Sequence, residues 1–357
     1  MQPKTYIIAE AGVNHNGSLD MALRLVDEAV KAGVDAVKFQ TFKPEDLVNK
    51  QAEKADYQKQ TTQASESQLE MLKKLVLDEK AHETLIKHCQ DQHIEFLSTA
   101  FDFDSLDLLV HRFQLPFLKV ASGEITNAPM LLKMAQTQKP IILSTGMATL
   151  GEIEQALAIL AFGYIKNNEK PSLTAFEHAY YSETGQTALQ QNITLLHCTT
   201  EYPTPFNEVN LNAITTLRQA FNLPVGLSDH TQGINIPIAA IACGAVLIEK
   251  HFTLDKNLSG PDHKASLEPD ELQAMVTGIR QVEMALGHGQ KIPMTSELKN
   301  RLPARKSLIA AKNIKKGMKF TEDNLTVKRP ATGQSPLHYW EMLGQIATKD
   351  YNADDII

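Results

Sequence analysis

The chain has 357 residues, 43% of them hydrophobic and 22% charged, with a formal net charge of −7. This is ordinary globular composition, long enough for one barrel-sized domain and a small second one. An acidic balance without an Arg-rich run argues against nucleic acid as a partner. No stretch has the length of a membrane span, and the opening MQPKTYIIAEAG lacks a signal h-region and cleavage site, so no membrane association and a cytoplasmic location are expected. Cys89, Cys198 and Cys243 are odd in number and widely spaced, which reads as small apolar residues rather than a disulfide framework or zinc site.

Eight short apolar runs follow one another: YIIAEAG (6–12), AVKFQTF (36–42), EFLSTAF (95–101), FLKVASG (117–123), PIILSTG (140–146), ITLLHCT (193–199), PVGLSDH (224–230) and AVLIEKHFT (245–253). They lack clean alternation, as strands buried on both faces do. Between most of them lie helical patterns. SLDMALRLVDEAVKAG (18–33) has a Ser/Asp start, apolar spacing of three and four, and a terminal Gly; TLGEIEQALAILAFG (149–163) is similar. The alternation predicts a closed parallel (β/α)₈ TIM barrel over residues 1–287. Residues 43–65 are polar and read as a long loop over the barrel mouth, and 165–190 as a surface insertion with some helix. A polar linker (288–303) leads to residues 304–357, where SLIAAKN and LTVKRP read as short strands of a domain too small to bury much core alone.

In a barrel of this kind the active site lies at the C-terminal ends of the strands. There the sequence places Glu10, Asn14 and His15; Lys38 and Gln40; Thr99; Lys119, Ser122 and Glu124; Ser144 and Thr145; His197 and Thr200; Ser228, Asp229 and His230; and Glu249 and His251. A lysine in an apolar strand is costly to bury unless it meets an anion, so Lys38 and Lys119 together point to an anionic ligand. The hydroxyls of Thr99, Ser122, Ser144 and Ser228 could complete a phosphate or carboxylate cradle, although any one of them could instead cap the following helix. His230 and His251 end neighbouring strands, and two imidazoles near carboxylates suit Mn²⁺, Zn²⁺, Co²⁺ or Fe²⁺. Asp262 could hold substrate or a water beside them. For Asn14 and His15, in an Asn- and Gly-rich stretch, a turn role competes with catalysis; His263 reads as a loop residue.

With these residues placed, the chain resembles the bacterial sialic acid synthase family through AEAGVNHNG (9–17), VKFQTF (37–42), FLSTAFD (96–102), KVASGE (119–124), LSTGMAT (143–149), HCTTEYPTPF (197–206), GLSDHT (226–231), IEKHFTLDK (248–256), SGPDHKAS (259–266) and KRPATG (328–333). The resemblance implies an enzyme that condenses phosphoenolpyruvate with an N-acetylated amino-sugar aldehyde and water, releasing phosphate by C–O cleavage. It implies a C-terminal antifreeze-protein-like (SAF) domain and a domain-swapped homodimer in which each tail caps the partner's barrel. Carried over by residue, Lys38, Thr99, Lys119, Ser122, Ser144 and Ser228 would hold phosphoenolpyruvate; Glu10, Gln40, Tyr202 and Asp262 would line the sugar; Arg329 would reach the partner's site; Glu124 would transfer a proton, with Glu10 also in the catalytic set; and His230 and His251 would bind a divalent cation, usually Mn²⁺, that polarises the aldehyde. Thr199 and Thr200 stand where sialic acid synthases resembling this chain often place Asn, which, with EKHFTLDK and GPDHKASLEP, looks closer to N,N′-diacetyllegionaminate synthases, whose acceptor is a 6-deoxy-2,4-diacetamido mannose analogue. N-acetylmannosamine is the alternative acceptor. Two rival classes fit less well. A metal-dependent barrel hydrolase usually has a denser ligand set, and a pure binding module needs no buried lysine pair.

Overall fold

The computed structural model describes residues 4–49, 51–62, 66–166 and 169–357. The chain divides into two compact units between Gly287 and His288. In the first, eight parallel strands close a barrel in sequence order: β1 (Tyr6–Gly12), β2 (Ala36–Thr41), β3 (Glu95–Ala100), β4 (Leu118–Val120), β5 (Ile141–Ser144), β6 (Ile193–Cys198), β7 (Val225–Asp229) and β8 (Leu247–His251), with β1 paired to both β2 and β8. Each lies within its predicted run.

Local sequence sets the helices between them. Leu19–Ala32 starts at Ser18, whose hydroxyl accepts from the Met21 N–H, and stops at Gly33 in the left-handed region (φ 77°). Leu150–Tyr164 starts at a capping box in which Thr149 and Glu152 each accept from the other's backbone N–H. Their apolar faces pack with the outward faces of the strands into one continuous core, which includes Leu25, Val37, Leu85, Leu143, Leu160 and Ile248. The insertion after the fifth barrel helix contributes two helices, Leu173–Tyr181 and Glu183–Asn192. The segment expected as a loop over the mouth is partly helical, with Pro44–Leu47 and Asp56–Thr61 before a further helix, Gln68–Lys73; residues 50 and 63–65 fall outside the described set.

Inside the barrel, side chains are layered. Ile8, Ala36, Leu97, Ile142, Leu196 and Leu247 form an apolar plug, with Tyr6 and Phe117 packed against it. One step further along the strands the polar layer begins. Register puts Glu10 beside Lys38 and His251, Thr99 beside Gln40 and Lys119, and Ser228 beside Cys198 and Glu249. Gly226 on β7 is needed for closure, because a Cβ there would lie 2.3 Å from the Leu247 carbonyl oxygen.

The second unit has an antiparallel pair, β9 (Ser307–Ala310) and β10 (Leu325–Lys328), over a small core of Leu308, Ala310, Ile314, Phe320, Leu325, Ala347 and Tyr351. The stretch expected as a plain linker holds two exposed helical turns, Thr295–Leu298 and Arg301–Ala304.

On β7 and β8 the residues between the inward-facing positions point outward. Lys250, fully buried, pairs with Asp229 at 2.6 Å, and Asp229 also accepts from the Thr231 N–H and hydroxyl. Losing one partner of such a pair strands a buried charge. Lys250→Met should therefore lower unfolding free energy by about 3–5 kcal/mol, measured by denaturant titration, and a midpoint equal to the native one would contradict this structural role.

Candidate active site

At the C-terminal ends of the strands lies a cavity of ≈ 230 Å³. Its lining includes Glu10, Lys38, Gln40, Thr99, Lys119, Ser122, Ser144, Thr200, Tyr202, Ser228, His230, Glu249, His251 and Asp262, drawn from all eight strands or the loops that follow them. Helices and loops separate these strands along the chain; the closed register is what gathers the residues.

The floor is a chain of buried charges. Lys38 Nζ stands 2.7 Å from Glu10 and 3.6 Å from Glu249, and Lys119 Nζ stands 3.6 Å from Glu249 on its other oxygen. Hydroxyls fill the gaps. Thr99 accepts from Lys38 at 3.0 Å, Ser144 from Lys119 at 2.7 Å, and Ser228 donates to Glu249 at 2.8 Å. Ser122 accepts from the Gly146 N–H at 3.0 Å; a Cβ at Gly146 would stand 2.7 Å from that hydroxyl and 2.3 Å from that of Thr200. Burial raises the Glu10 carboxyl above its ordinary range; Lys38 opposes this and Glu249 reinforces it. Burial works the same way on Glu249, but Lys119 and Lys38 overcome it and hold that carboxyl down. Burial also lowers the Lys119 ammonium. The floor thus combines two lysines with one firmly ionised carboxylate and one biased toward its neutral form. That field suits an anion, with hydroxyl and ammonium donors already aimed at it.

Beside the floor the two histidines meet with ring centroids 5.4 Å apart. His230 Nδ1 lies 2.7 Å from the Thr199 carbonyl oxygen. Burial disfavours the charged ring, while the Cys198 thiol beside it outweighs this and raises the imidazole; in its neutral form, donation of the Nδ1 proton to Thr199 leaves Nε2 with a free lone pair. Burial, then His230 and Lys38, push His251 well below the usual imidazole range, so it is neutral; its Nδ1 is buried without a hydrogen-bond partner, 3.8 Å from Asp262. Burial raises Asp262 to about 6 against the opposing effect of His230. Tyr202 stacks on His230 with ring centroids 4.0 Å apart. An orphaned imidazole nitrogen next to a tautomer-fixed one fits a borderline divalent cation. Among the described residues, no group of three or more His, Cys, Asp or Glu forms a ready metal site, so oxygen from water or substrate would have to complete the shell.

Several sequence candidates lie elsewhere. Glu124 does not line the cavity; it accepts from the Asn127 side-chain amide at 2.7 Å. Asp229 faces outward to Lys250. Thr145 donates to the Leu196 carbonyl, and His197 Nε2 bonds the Val209 carbonyl. Asn14 donates to Phe252 O and Ser266 Oγ, and His15 accepts from the Gly17 N–H, so both brace the loop after β1. His263 is buried against Thr253. Arg329 belongs to the second unit. Sequence reading missed Cys198, whose Sγ lies 3.8 Å from His230 Nδ1, and an apolar part of the lining: Val13, Met71, Leu72, Leu75 and Phe101.

Residues 25–291 match the model of the NeuB family, and residues 305–357 match that of the SAF domain. The chain belongs to the NeuB family. It is 55% identical over 354 residues to the N,N′-diacetyllegionaminic acid synthase of Campylobacter jejuni, covering 99% of both chains. It is 43% identical over 348 residues to the protein of the same name from Legionella pneumophila, covering 98% of this chain and 92% of that one. A solved N-acetylneuraminic acid (sialic acid) synthetase from Leptospira borgpetersenii superposes with a TM-score of 0.68 at 34% identity, over 84% of this chain and 90% of that one. In this NeuB-family barrel none of the described helices is long and apolar enough to cross a membrane.

Proposed function

We propose that the protein condenses phosphoenolpyruvate with 6-deoxy-2,4-diacetamido mannose and water to give N,N′-diacetyllegionaminate and phosphate. The observation that carries this reading is the buried lysine pair, Lys38 and Lys119, opening into the same cavity as the His230–His251 pair in a NeuB-family chain. The identity to two N,N′-diacetyllegionaminic acid synthases supports the choice of acceptor. The likeness to a sialic acid synthetase keeps N-acetylmannosamine as a second acceptor to be tested.

In this reading the phosphate and carboxylate of phosphoenolpyruvate sit among Lys38, Lys119, Thr99, Ser122, Ser144 and Ser228. Charge-assisted bonds there are worth about 1.5–3 kcal/mol each and fix C3 of the enol toward the sugar. Gln40, Tyr202 and Asp262 orient the aldehyde. His230 and His251 would hold a divalent cation such as Mn²⁺, which when bound would supply Lewis acidity for the aldehyde. C3 attacks the aldehyde carbon, the aldehyde oxygen takes up a proton, and positive charge develops at C2 of the enol. Water adds at C2 and loses one proton, leaving a C2 hydroxyl; phosphate then leaves with its bridging oxygen as C2=O forms and the hydroxyl proton passes to the phosphate. Glu10, which faces the cavity and is biased toward its neutral form, is assigned the proton transfer in place of Glu124. The site must keep water from C2 until the carbon–carbon bond has formed.

With phosphoenolpyruvate and Mn²⁺, the diacetamido acceptor should give a product of the mass of N,N′-diacetyllegionaminate, with one phosphate released per product. Chelation followed by dialysis should abolish turnover and Mn²⁺ should restore it; His230→Ala and His251→Ala should each lose activity on the order of 100-fold or more while keeping the native circular-dichroism spectrum. Phosphate release that ignores the sugar, or full activity after verified metal removal, would refute the scheme.

The second unit is assigned the capping of a partner's barrel in a swapped homodimer, with Arg329 donating to the acyl carbonyl of the sugar. Apolar side chains exposed on that unit support a further contact, among them Leu302 (59%), Leu337 (85%) and Trp340 (77%). An Arg329→Ala chain and a His230→Ala chain, each inactive alone, should recover activity when exchanged into mixed dimers, because one of the two sites is then whole. If activity stays absent in verified mixed dimers, the swap is wrong.

A further inference from the structure

One wall of the cavity is apolar, and the chemistry above leaves it unused. Val13, Phe101, Met71, Leu72 and Leu75 line it. The last three belong to the helix Gln68–Lys73 and the turn after it. That helix begins at Ser67, which accepts from the Glu70 N–H while Glu70 accepts from the Ser67 N–H at 2.8 Å. It is anchored to the mouth in three ways. Met71 and Leu75 are buried with Val13 and Phe42. Glu66 is ion-paired to Lys54 at 3.6 Å and to Lys74. Gly17, at φ +76°, lies so near that a Cβ there would stand 2.4 Å from the Lys74 carbonyl oxygen.

Leu72 is different. It is only partly buried, packs at the edge of that cluster and faces the cavity. A leucine left half-wet beside a charged floor gains from any apolar group that covers it. The charges are segregated as well. Every Lys, Glu, Asp and His of the lining comes from β1, β2, β4, β8, the residue after β7 or the loop after β8, and none comes from residues 66–75. The trianionic substrate is therefore drawn to the strand ends, and the uncharged acceptor is left facing the apolar wall.

We propose that this wall selects the acceptor: Leu72, backed by Val13, Met71, Leu75 and Phe101, receives a methyl-bearing substituent of the amino sugar in preference to a hydroxyl. The inference rests on the synthase reading above. The acetamido methyl common to all these sugars cannot discriminate among them; two groups that differ share this chemistry, the methyl of a 6-deoxy position and the methyl of a second acetamido group. A hydroxyl pressed there would lose water without gaining a hydrogen bond. A pocket of this kind discriminates one such group by roughly 10- to 200-fold.

The test compares kcat/KM of the full-length enzyme, with phosphoenolpyruvate and Mn²⁺, for three acceptors: N-acetylmannosamine, its 6-deoxy analogue, and the 6-deoxy-2,4-diacetamido sugar. The 6-deoxy-2,4-diacetamido sugar should lead N-acetylmannosamine by about 10-fold or more. A gain already at the 6-deoxy analogue assigns the wall to the ring-terminal methyl, and a gain only at the diacetamido sugar assigns it to the second acetamido group. Leu72→Gln should shrink the preference by about 10-fold through acceptor KM, with phosphoenolpyruvate KM unchanged, and Leu72→Met should retain it. Leu72→Ala, which removes the contact without adding a polar group, gives the same reading if the Gln variant does not fold. An unchanged preference in these variants, or a native preference for N-acetylmannosamine, overturns the proposal. Absence of turnover by the native enzyme with all three acceptors is a different result, and overturns the synthase reading itself.

Discussion

The structure of the barrel mouth depends on one constraint: four charged side chains, Glu10, Lys38, Lys119 and Glu249, are almost fully withdrawn from water in a single layer. Dehydrating such groups costs several kcal/mol each, and mutual attraction offsets this only where geometry and hydrogen bonds are good. Here Glu249 bridges both lysines, and Glu10 closes on Lys38. Both lysines also line the cavity, so their positive field reaches into it although Glu10 and Glu249 share them. The apolar plug beneath it blocks water from the other end, which strengthens that field.

The same two strands that carry the histidines carry a second buried ion pair on their opposite faces. Alternation on β7 sends Ser228 and His230 inward and Asp229 outward; on β8 it sends Glu249 and His251 inward and Lys250 outward. The outward pair ties β7 to β8 where the imidazoles must meet. Thus the two rings sit on strands joined both by backbone pairing and by a charge bond behind the wall. A site that must hold two nitrogen donors at fixed separation needs such backing.

Much of this was legible in the sequence because the strands are apolar and their polar exceptions are conspicuous. Lys38 and Lys119 stand out in VKFQTF and KVASGE as residues that an apolar strand cannot bury without reason, and the structure places both at the floor. What sequence could not resolve was direction. Asp229 and His230 are neighbours in SDH, yet only one faces the cavity, and Glu124 follows the strand end KVAS closely enough to look catalytic while its carboxylate turns to Asn127. Strict alternation from His251 backward would have flagged Lys250 as outward and in need of a partner. The apolar wall was hidden for another reason. Val13, Leu72 and Phe101 come from three separate segments, and only the packing of the helix Gln68–Lys73 against the loop after β1 brings them together.

If the buried lysines exist to meet an anionic substrate, a crystal structure of the protein with phosphoenolpyruvate will show it. The phosphate and carboxylate should lie within hydrogen-bond distance of the Lys38 and Lys119 ammonium groups, with Ser122, Ser144 and Ser228 hydroxyls completing the shell. Phosphoenolpyruvate bound away from both lysines, with their pairing to Glu10 and Glu249 unaltered, would contradict it.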